Sequence, residues 1–252
     1  DRLDAALAQG EFCLYYQPKV DMRAGTVIGV EALIRWRHPE RGLVEPADFL
    51  PSMAGVDLET QLGEWVIDQA LTQMAAGRAA GLDLPVAVNI APPRLARIDF
   101  ADRLKWLLAR HPDTPTNRLE LEVLESAALD DIEHVSRLID ACRRLGVTVA
   151  LDDFGTGYSS LTYLKRLPAD LIKIDQSFVH DMLSDADDLA IIEGVIGLAE
   201  AFHISVIAEG VETAAQGVAL IHLGCSLGQG YGIARPMPGE DLPGWVATYR
   251  PV

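Results

Sequence analysis

Two adjacent carboxylates, Asp152 and Asp153, end the apolar run "VTVALD" and open onto the glycine-rich turn "FGTG". Neighbouring residues on a strand point to opposite faces, so a pair of acids at that place needs a reason. The same position on other strand-like runs also carries a polar group. Reading each run toward its C-terminal end gives Glu31, Asn89, Glu122, Asp152, Lys173, Glu209 and Gln229. One acid at a strand end is explained by helix capping. Seven polar ends in order, four of them carboxylates, point to a shared site. Carboxylates gathered in one pocket repel one another unless cations sit among them. Oxygen donors with an asparagine and no histidine suit Mg²⁺ or Mn²⁺ rather than zinc.

These residues must be carried by elements that converge. Candidate strands are "FCLYYQP", "TVIGVEALIRW", "VAVNI", "RLELEV", "VTVALD", "LIKID", "SVIAEG" and "SLGQGYGI". The first two are separated by "KVDMRAG", too short for a crossover helix, and predict an antiparallel hairpin. Helical segments alternate with the later strands. Ile132, Val135, Leu138, Ile139, Cys142 and Leu145 recur at helical spacing. Asp130 and Asp131 are expected in the first turn of that helix, Arg143 and Arg144 in the last, and Gly146 beyond it. No linker divides the chain, so residues 1–252 read as one α/β domain. A modified (β/α)8 barrel with one antiparallel strand near the N-terminus is the expected architecture. In such a barrel the strand ends meet on one face.

Bulk properties exclude several alternatives. A formal net charge of -16 argues against a nucleic-acid polymer as partner. Glu193 and Glu200 interrupt the most apolar helical run, so no membrane contact is expected of this segment. Three cysteines without zinc or CxxC spacing fit a reducing cytoplasm. His134, His180, His203 and His222 fall on or near helices, away from the strand ends. "GTGYSS" lacks the third glycine of a dinucleotide fingerprint, and Ser159 and Ser160 read as turn and helix-start residues. Opening at Asp1 without an initiator Met, the chain is expected to be a segment of a longer protein.

Longer motifs carry a resemblance. "YYQPKVD", "GVEALIRWRHPERGLVEPADFLP", "LGEWV", "VNI", "LELEVLES", "LDDFGTGYSSLTYLKRLPADLIKIDQSFV", "VIAEGVET" and "LGCSLGQGYGIARPMP" stand in one order over nearly the whole chain. In these the chain is similar to the EAL family of cyclic-di-GMP phosphodiesterases. The resemblance implies a cytoplasmic, metal-dependent hydrolase that opens cyclic di-GMP to linear pGpG. It implies Glu31, Asn89, Glu122 and Asp152 as metal ligands, with Asp152 shared by two cations and Asp153 serving the second. Lys173 is then expected at the attacking water or the phosphate, and Glu209 as base or ligand to a water on the cation. Gln17, Arg35 and Gln229 are expected at the dinucleotide; Asp175 and Pro236 are further substrate candidates, with core and turn roles equally open. Glu125 is expected to steady the "DDFGTG" loop.

Two departures stand beside these matches. The family's "VNLSxRQL" is "VNIAPPRL" here, so Ala91 lacks a hydroxyl and Pro93 stiffens the loop. Its "EITES" is "EVLES", with Leu124 in place of threonine. Every expected ligand is retained. A dinucleotide receptor that signals without cleavage is the alternative of another class, and an enolate-forming barrel lyase is a third. The run "DDLAIIEGVIGLAEAF" is apolar over about half its circumference, wider than the ~100° stripe of a surface helix. A packed barrel helix and a dimer face both explain it, and the family's habit favours a homodimer.

Overall fold

The computed structural model describes residues 2–52, 56–156 and 161–250. Among the described residues ten strands form one sheet: β1 (Phe12–Asp21), β2 (Thr26–His38), β3 (Gly42–Val44), β4 (Val86–Ile90) and β5 (Leu119–Leu124) come first. They are followed by β6 (Thr148–Phe154), β7 (Leu171–Ile174), β8 (Ser205–Ala208), β9 (Leu227–Gly228) and β10 (Met237–Pro238). Eight of them close a barrel in the order β1, β2, β4, β5, β6, β7, β8, β9 and back to β1. Strand β1 runs antiparallel to both β2 and β9, and the pairings from β2 through β9 are parallel. The barrel with one reversed strand, expected from the short first connection, is the fold observed.

Local chemistry sets the elements. At the hairpin turn Asp21 Oδ1 accepts from the backbone N–H groups of Arg23 and Ala24, both at 3.0 Å, the Asp turn that "DMRAG" encodes. The helix Ile132–Arg144 buries Val135, Leu138, Ile139 and Cys142 against the barrel. Asp131 is its N-cap, accepting from His134 N–H at 3.0 Å, while Asp130 closes the preceding helix Glu125–Asp130. The expectation of both acids in the first turn is thus corrected. Gly146, at φ 86°, donates its N–H to Arg143 O, and Val147 donates to Cys142 O. These two bonds satisfy carbonyls that the helix end leaves open.

Strand alternation sorts the barrel into layers. Leu119, Leu121 and Val123 of β5, Val149 and Leu151 of β6, and Ile172 and Ile174 of β7 join the core outside the barrel, beneath the helices. Their neighbours point inward. Ala150, Leu171 and Ile207 form a small buried cluster within the barrel. One inward step beyond each stand Asp152, Lys173 and Glu209. The polar pocket therefore rests on an apolar floor.

Two strand ends differ from expectation. Strand β2 continues beyond the barrel to pair with β3, so Glu31 lies within it rather than at its end. Only Leu227–Gly228 of "SLGQGYGI" is strand, since the chain leaves the barrel at Gln229 and turns back. On the helix Ala186–Phe202, Ile192, Val195, Ile196 and Ala199 are buried, whereas Ile191 is 36% exposed. Part of that wide apolar face is barrel packing. Cys13, Cys142 and Cys225 are free thiols. Among the described residues no helix is long and apolar enough to cross a membrane.

Candidate active site

Lys173 stands at the centre. Its side chain is 1% exposed, and its ammonium lies 2.6 Å from Glu122 Oε2, 2.8 Å from Glu209 Oε1, 3.1 Å from Asp152 Oδ1 and 3.8 Å from Glu31 Oε2. Strands β2, β5, β6 and β7 and the residue after β8 each supply one of these groups. Gln229, buried just after β9, donates Nε2 to Glu31 Oε2 at 2.6 Å and to Gln17 Oε1 at 3.0 Å. Gln17 in turn donates to Ala234 O at 3.0 Å. Asn89 Nδ2 donates to Glu31 Oε1 at 2.7 Å. The predicted residues Gln17, Glu31, Asn89, Glu122, Asp152, Lys173, Glu209 and Gln229 thus form one hydrogen-bonded and ion-paired network.

Asp153 joins it through a β-bulge. Leu151 pairs with Ile172, and Phe154 with Ile174, so three steps along β6 face two along β7. The extra residue breaks the alternation. Asp153 takes φ 54°, a left-handed conformation that Asp tolerates better than most residues. Asp152, Asp153 and Glu209 consequently bring carboxylate oxygens within 4.8 Å of one another. The bulge at Asp153 itself does the work, and Gly157, Ser159 and Ser160 lie outside the described residues. Gly155 is needed for a different reason. At φ 100° it brings backbone so near Phe178 that a Cβ would meet the ring at 3.0 Å.

The buried Glu125 accepts the Gly155 N–H on Oε2 at 3.1 Å, holding the turn that follows Asp153. Asp175 caps the helix Gln176–Asp181, accepting from Ser177 N–H at 2.9 Å and from its hydroxyl. Its negative charge is also among those that push the Asp153 carboxyl up. Arg35 is buried, with Nη1 donating to Ile34 O at 2.9 Å and its guanidinium 5.8 Å from the Tyr15 ring centre. Pro236 is partly buried just ahead of β10. Beside Asn89 a cavity of about 410 Å³ is lined by Leu33, Leu62, Ala91, Pro92 and Leu124 among others. Two of the departures, Ala91 and Leu124, make part of its wall apolar.

Lys19 was absent from the sequence-derived set. It is buried, 2.5 Å from Glu120 Oε1 and 3.2 Å from Glu122 Oε1. Its signal was present in "YYQPKVD", where a lysine follows Gln17 by two positions and so shares its inward face.

Crowding sets the protonation. Burial, then the nearby Glu122 carboxylate, pushes Glu31 up to about 7. Burial raises Glu209 to about 8, although Lys173 opposes it. Burial, then Asp152, raises Asp153 to about 6. Burial also works against the Glu122 carboxylate, but Lys173 and Lys19 outweigh it and hold the group down at about 2. For Lys173 burial is again opposed, here by Glu122, Glu31, Glu209 and Asp152, which keep it well above the usual lysine range.

Glu31, Asp153 and Glu209 therefore bind protons more tightly folded than unfolded, where carboxyls titrate near ~4. From that value up to about 8 the folded state holds more protons, so rising pH lowers its stability. Glu122 has the opposite sign, but its contribution is lost only as pH falls toward about 2. The melting temperature of the chelator-treated domain should fall between about pH 5.5 and about pH 8.5. Added divalent cation should restore it, more so at the higher pH, because the ligands must shed protons to bind. A melting temperature flat or rising across that range would contradict this charge layout.

Comparison with known proteins agrees with the geometry. A family model described as "EAL domain" matches residues 1–236. The chain is 43% identical over 246 residues to the bifunctional diguanylate cyclase/cyclic di-GMP phosphodiesterase MucR of Pseudomonas aeruginosa, covering 97% of this chain and 36% of that protein. It is 38% identical over 247 residues to the cyclic di-GMP phosphodiesterase PdeR of Escherichia coli K12, covering 98% and 37%. The chain thus spans little more than a third of the length of these curated relatives. Among solved structures, the PaMucR phosphodiesterase in its c-di-GMP complex superimposes with a TM-score of 0.91 at 43% identity, covering 95% of this chain and 97% of that one. The EAL enzyme Bd1971, in a form with cAMP and cyclic di-GMP bound, gives 0.89 at 34% identity, covering 97% and 67%. With its reversed first strand, its lysine among carboxylates and a family match from residue 1 to residue 236, the chain belongs to the EAL domain family.

Proposed function

We propose that the domain hydrolyses cyclic di-GMP to linear pGpG, using two divalent cations, Mg²⁺ or Mn²⁺. The observation that carries this is the placement of Lys173 among Glu31, Glu122, Asp152 and Glu209, with Asp153 drawn in by the bulge. The donors fit such cations. They are all oxygen, and five carboxylates gather around the ammonium groups of Lys173 and Lys19. The buried Gln229 Oε1 has no hydrogen-bond partner among the described residues. Glu31, Asn89, Glu122 and Asp152 would hold one cation, and Asp152 with Asp153 the second. When bound, the cations supply the positive charge that activates a water and stabilises the attacking and leaving oxygens of an in-line displacement.

The chain's own groups do the rest. Glu209, 2.8 Å from Lys173 and close to Asp152 and Asp153, would take a proton from the attacking water through its carboxylate. Water oxygen bonds to phosphorus and the P–O3′ bond breaks; the leaving 3′-oxygen takes a proton from solvent, giving a 3′-hydroxyl and a 5′-phosphate, and Glu209 returns its proton to solvent. The Lys173 ammonium stabilises charge on the phosphate oxygens as it develops. Gln17, Gln229 and Arg35 orient the dinucleotide, and the apolar cavity beside Asn89 offers packing surface for a base. Names of relatives that act on cyclic di-GMP support the substrate. Free thiols accord with work in the cytoplasm.

Incubation with cyclic di-GMP and Mg²⁺, followed by nucleotide separation, tests the reading against a receptor that only binds. Mg²⁺ or Mn²⁺ should support turnover. Ca²⁺ should bind yet serve poorly, because its longer, looser coordination misplaces the water. Full activity after exhaustive chelation would remove the metal mechanism. A homodimer is also part of the proposal, supported by the exposed Ile191 and the partly buried Leu189 and Leu198 on the apolar helix Ala186–Phe202. Sedimentation at micromolar concentration should report a dimer mass, and a monomer throughout would reject it.

A further inference from the structure

Lys19 enters the barrel from β1 and is only 4% exposed. The barrel interior beneath the pocket also holds the buried apolar cluster Ala150, Leu171 and Ile207. An apolar side chain would fill the same space without the cost of burying an ammonium group. Lys19 is instead held between Glu120 Oε1 at 2.5 Å and Glu122 Oε1 at 3.2 Å. The other oxygen of Glu122 is 2.6 Å from Lys173. Each Glu122 oxygen thus has its own ammonium partner, which fixes both the tilt and the rotation of the carboxylate.

We propose that Lys19 is a positioning residue, which orients Glu122 for the cation site and keeps that carboxylate from closing both oxygens onto Lys173. The proposal rests on the reading of Glu122 as a cation ligand. Outer partners of ligating groups set ligand orientation, and their loss typically costs about 10–100-fold in metal affinity. Glu120 plays the lesser part, anchoring the far side of the Lys19 ammonium.

The test is calorimetric titration of the nucleotide-free protein with Mn²⁺, together with turnover at varied Mg²⁺. Lys19→Met should weaken Mn²⁺ binding by about 10-fold or more. The Mg²⁺ concentration for half-maximal rate should rise equally, with KM for cyclic di-GMP unchanged. Because Lys19→Met leaves Glu120 buried without its partner, the double variant Lys19→Met/Glu120→Gln guards against loss of the fold. It should show the same weakening, while Glu120→Gln alone stays near the parent. A folded double variant with parental Mn²⁺ affinity would overturn the proposal, as would a lowered melting temperature with unchanged affinity. If the parent binds Mn²⁺, loses it in the variant and cleaves no cyclic di-GMP, the positioning role stands and the enzymatic reading falls. A parent that binds no Mn²⁺ overturns both.

Discussion

Glu31→Ala is expected to abolish hydrolysis while leaving the domain folded. The loss should exceed the roughly 10–100-fold expected for a residue that merely supports a ligand. A thousandfold fall in kcat corresponds to ~4 kcal/mol of transition-state stabilisation. The fold should survive because Glu31 is the most distant of the four carboxylates around Lys173, at 3.8 Å. Lys173 keeps Glu122, Asp152 and Glu209, and Gln229 keeps Gln17. Removing a buried acid crowded by Glu122 also relieves repulsion in the metal-free protein. Steady-state turnover with Mg²⁺ and a thermal melt decide the matter. Near-parental turnover would sink the assignment of Glu31 to the site.

Asp153→Asn should keep the fold and much of the dinucleotide binding, yet lose turnover by about a hundredfold or more, beyond the usual effect of a supporting residue. Asparagine tolerates the left-handed conformation that Asp153 adopts at φ 54°, so the bulge persists. What disappears is the negative charge proposed to join Asp152 at a second cation. Glu125→Ala removes the acceptor of the Gly155 N–H and so releases the turn beyond the bulge. Its effect should be smaller and in the same direction, with Asp153 chemically intact. Binding measured in Ca²⁺ and hydrolysis measured in Mg²⁺ separate the two roles. If Asp153→Asn turns over like the parent, the paired aspartates do not share two cations.

Most of the site was legible because period-two alternation converts sequence into faces. Asp152, Lys173 and Glu209 each stand two residues beyond an inward apolar residue, so their convergence followed from the strands alone. Glu31 was harder to place. Strand β2 outruns the barrel to pair with β3, and no local signal distinguishes barrel from extension. Asp153 required the bulge, which shows only in the register of β6 against β7. Lys19 escaped because it lies on the one reversed strand, where the C-terminal ends point away from the pocket. Asp175, a substrate candidate for which a turn role was equally open, caps the helix Gln176–Asp181.

The most direct measurement is the position of isotopic label after reaction in ¹⁸O-water. The domain is incubated with cyclic di-GMP and Mg²⁺, and the nucleotide products are separated and weighed. Linear pGpG bearing one ¹⁸O on its 5′-phosphate is expected, with no product once the cations are chelated. Unchanged cyclic di-GMP in the presence of Mg²⁺ and of Mn²⁺, or product free of label, would contradict hydrolysis at this site.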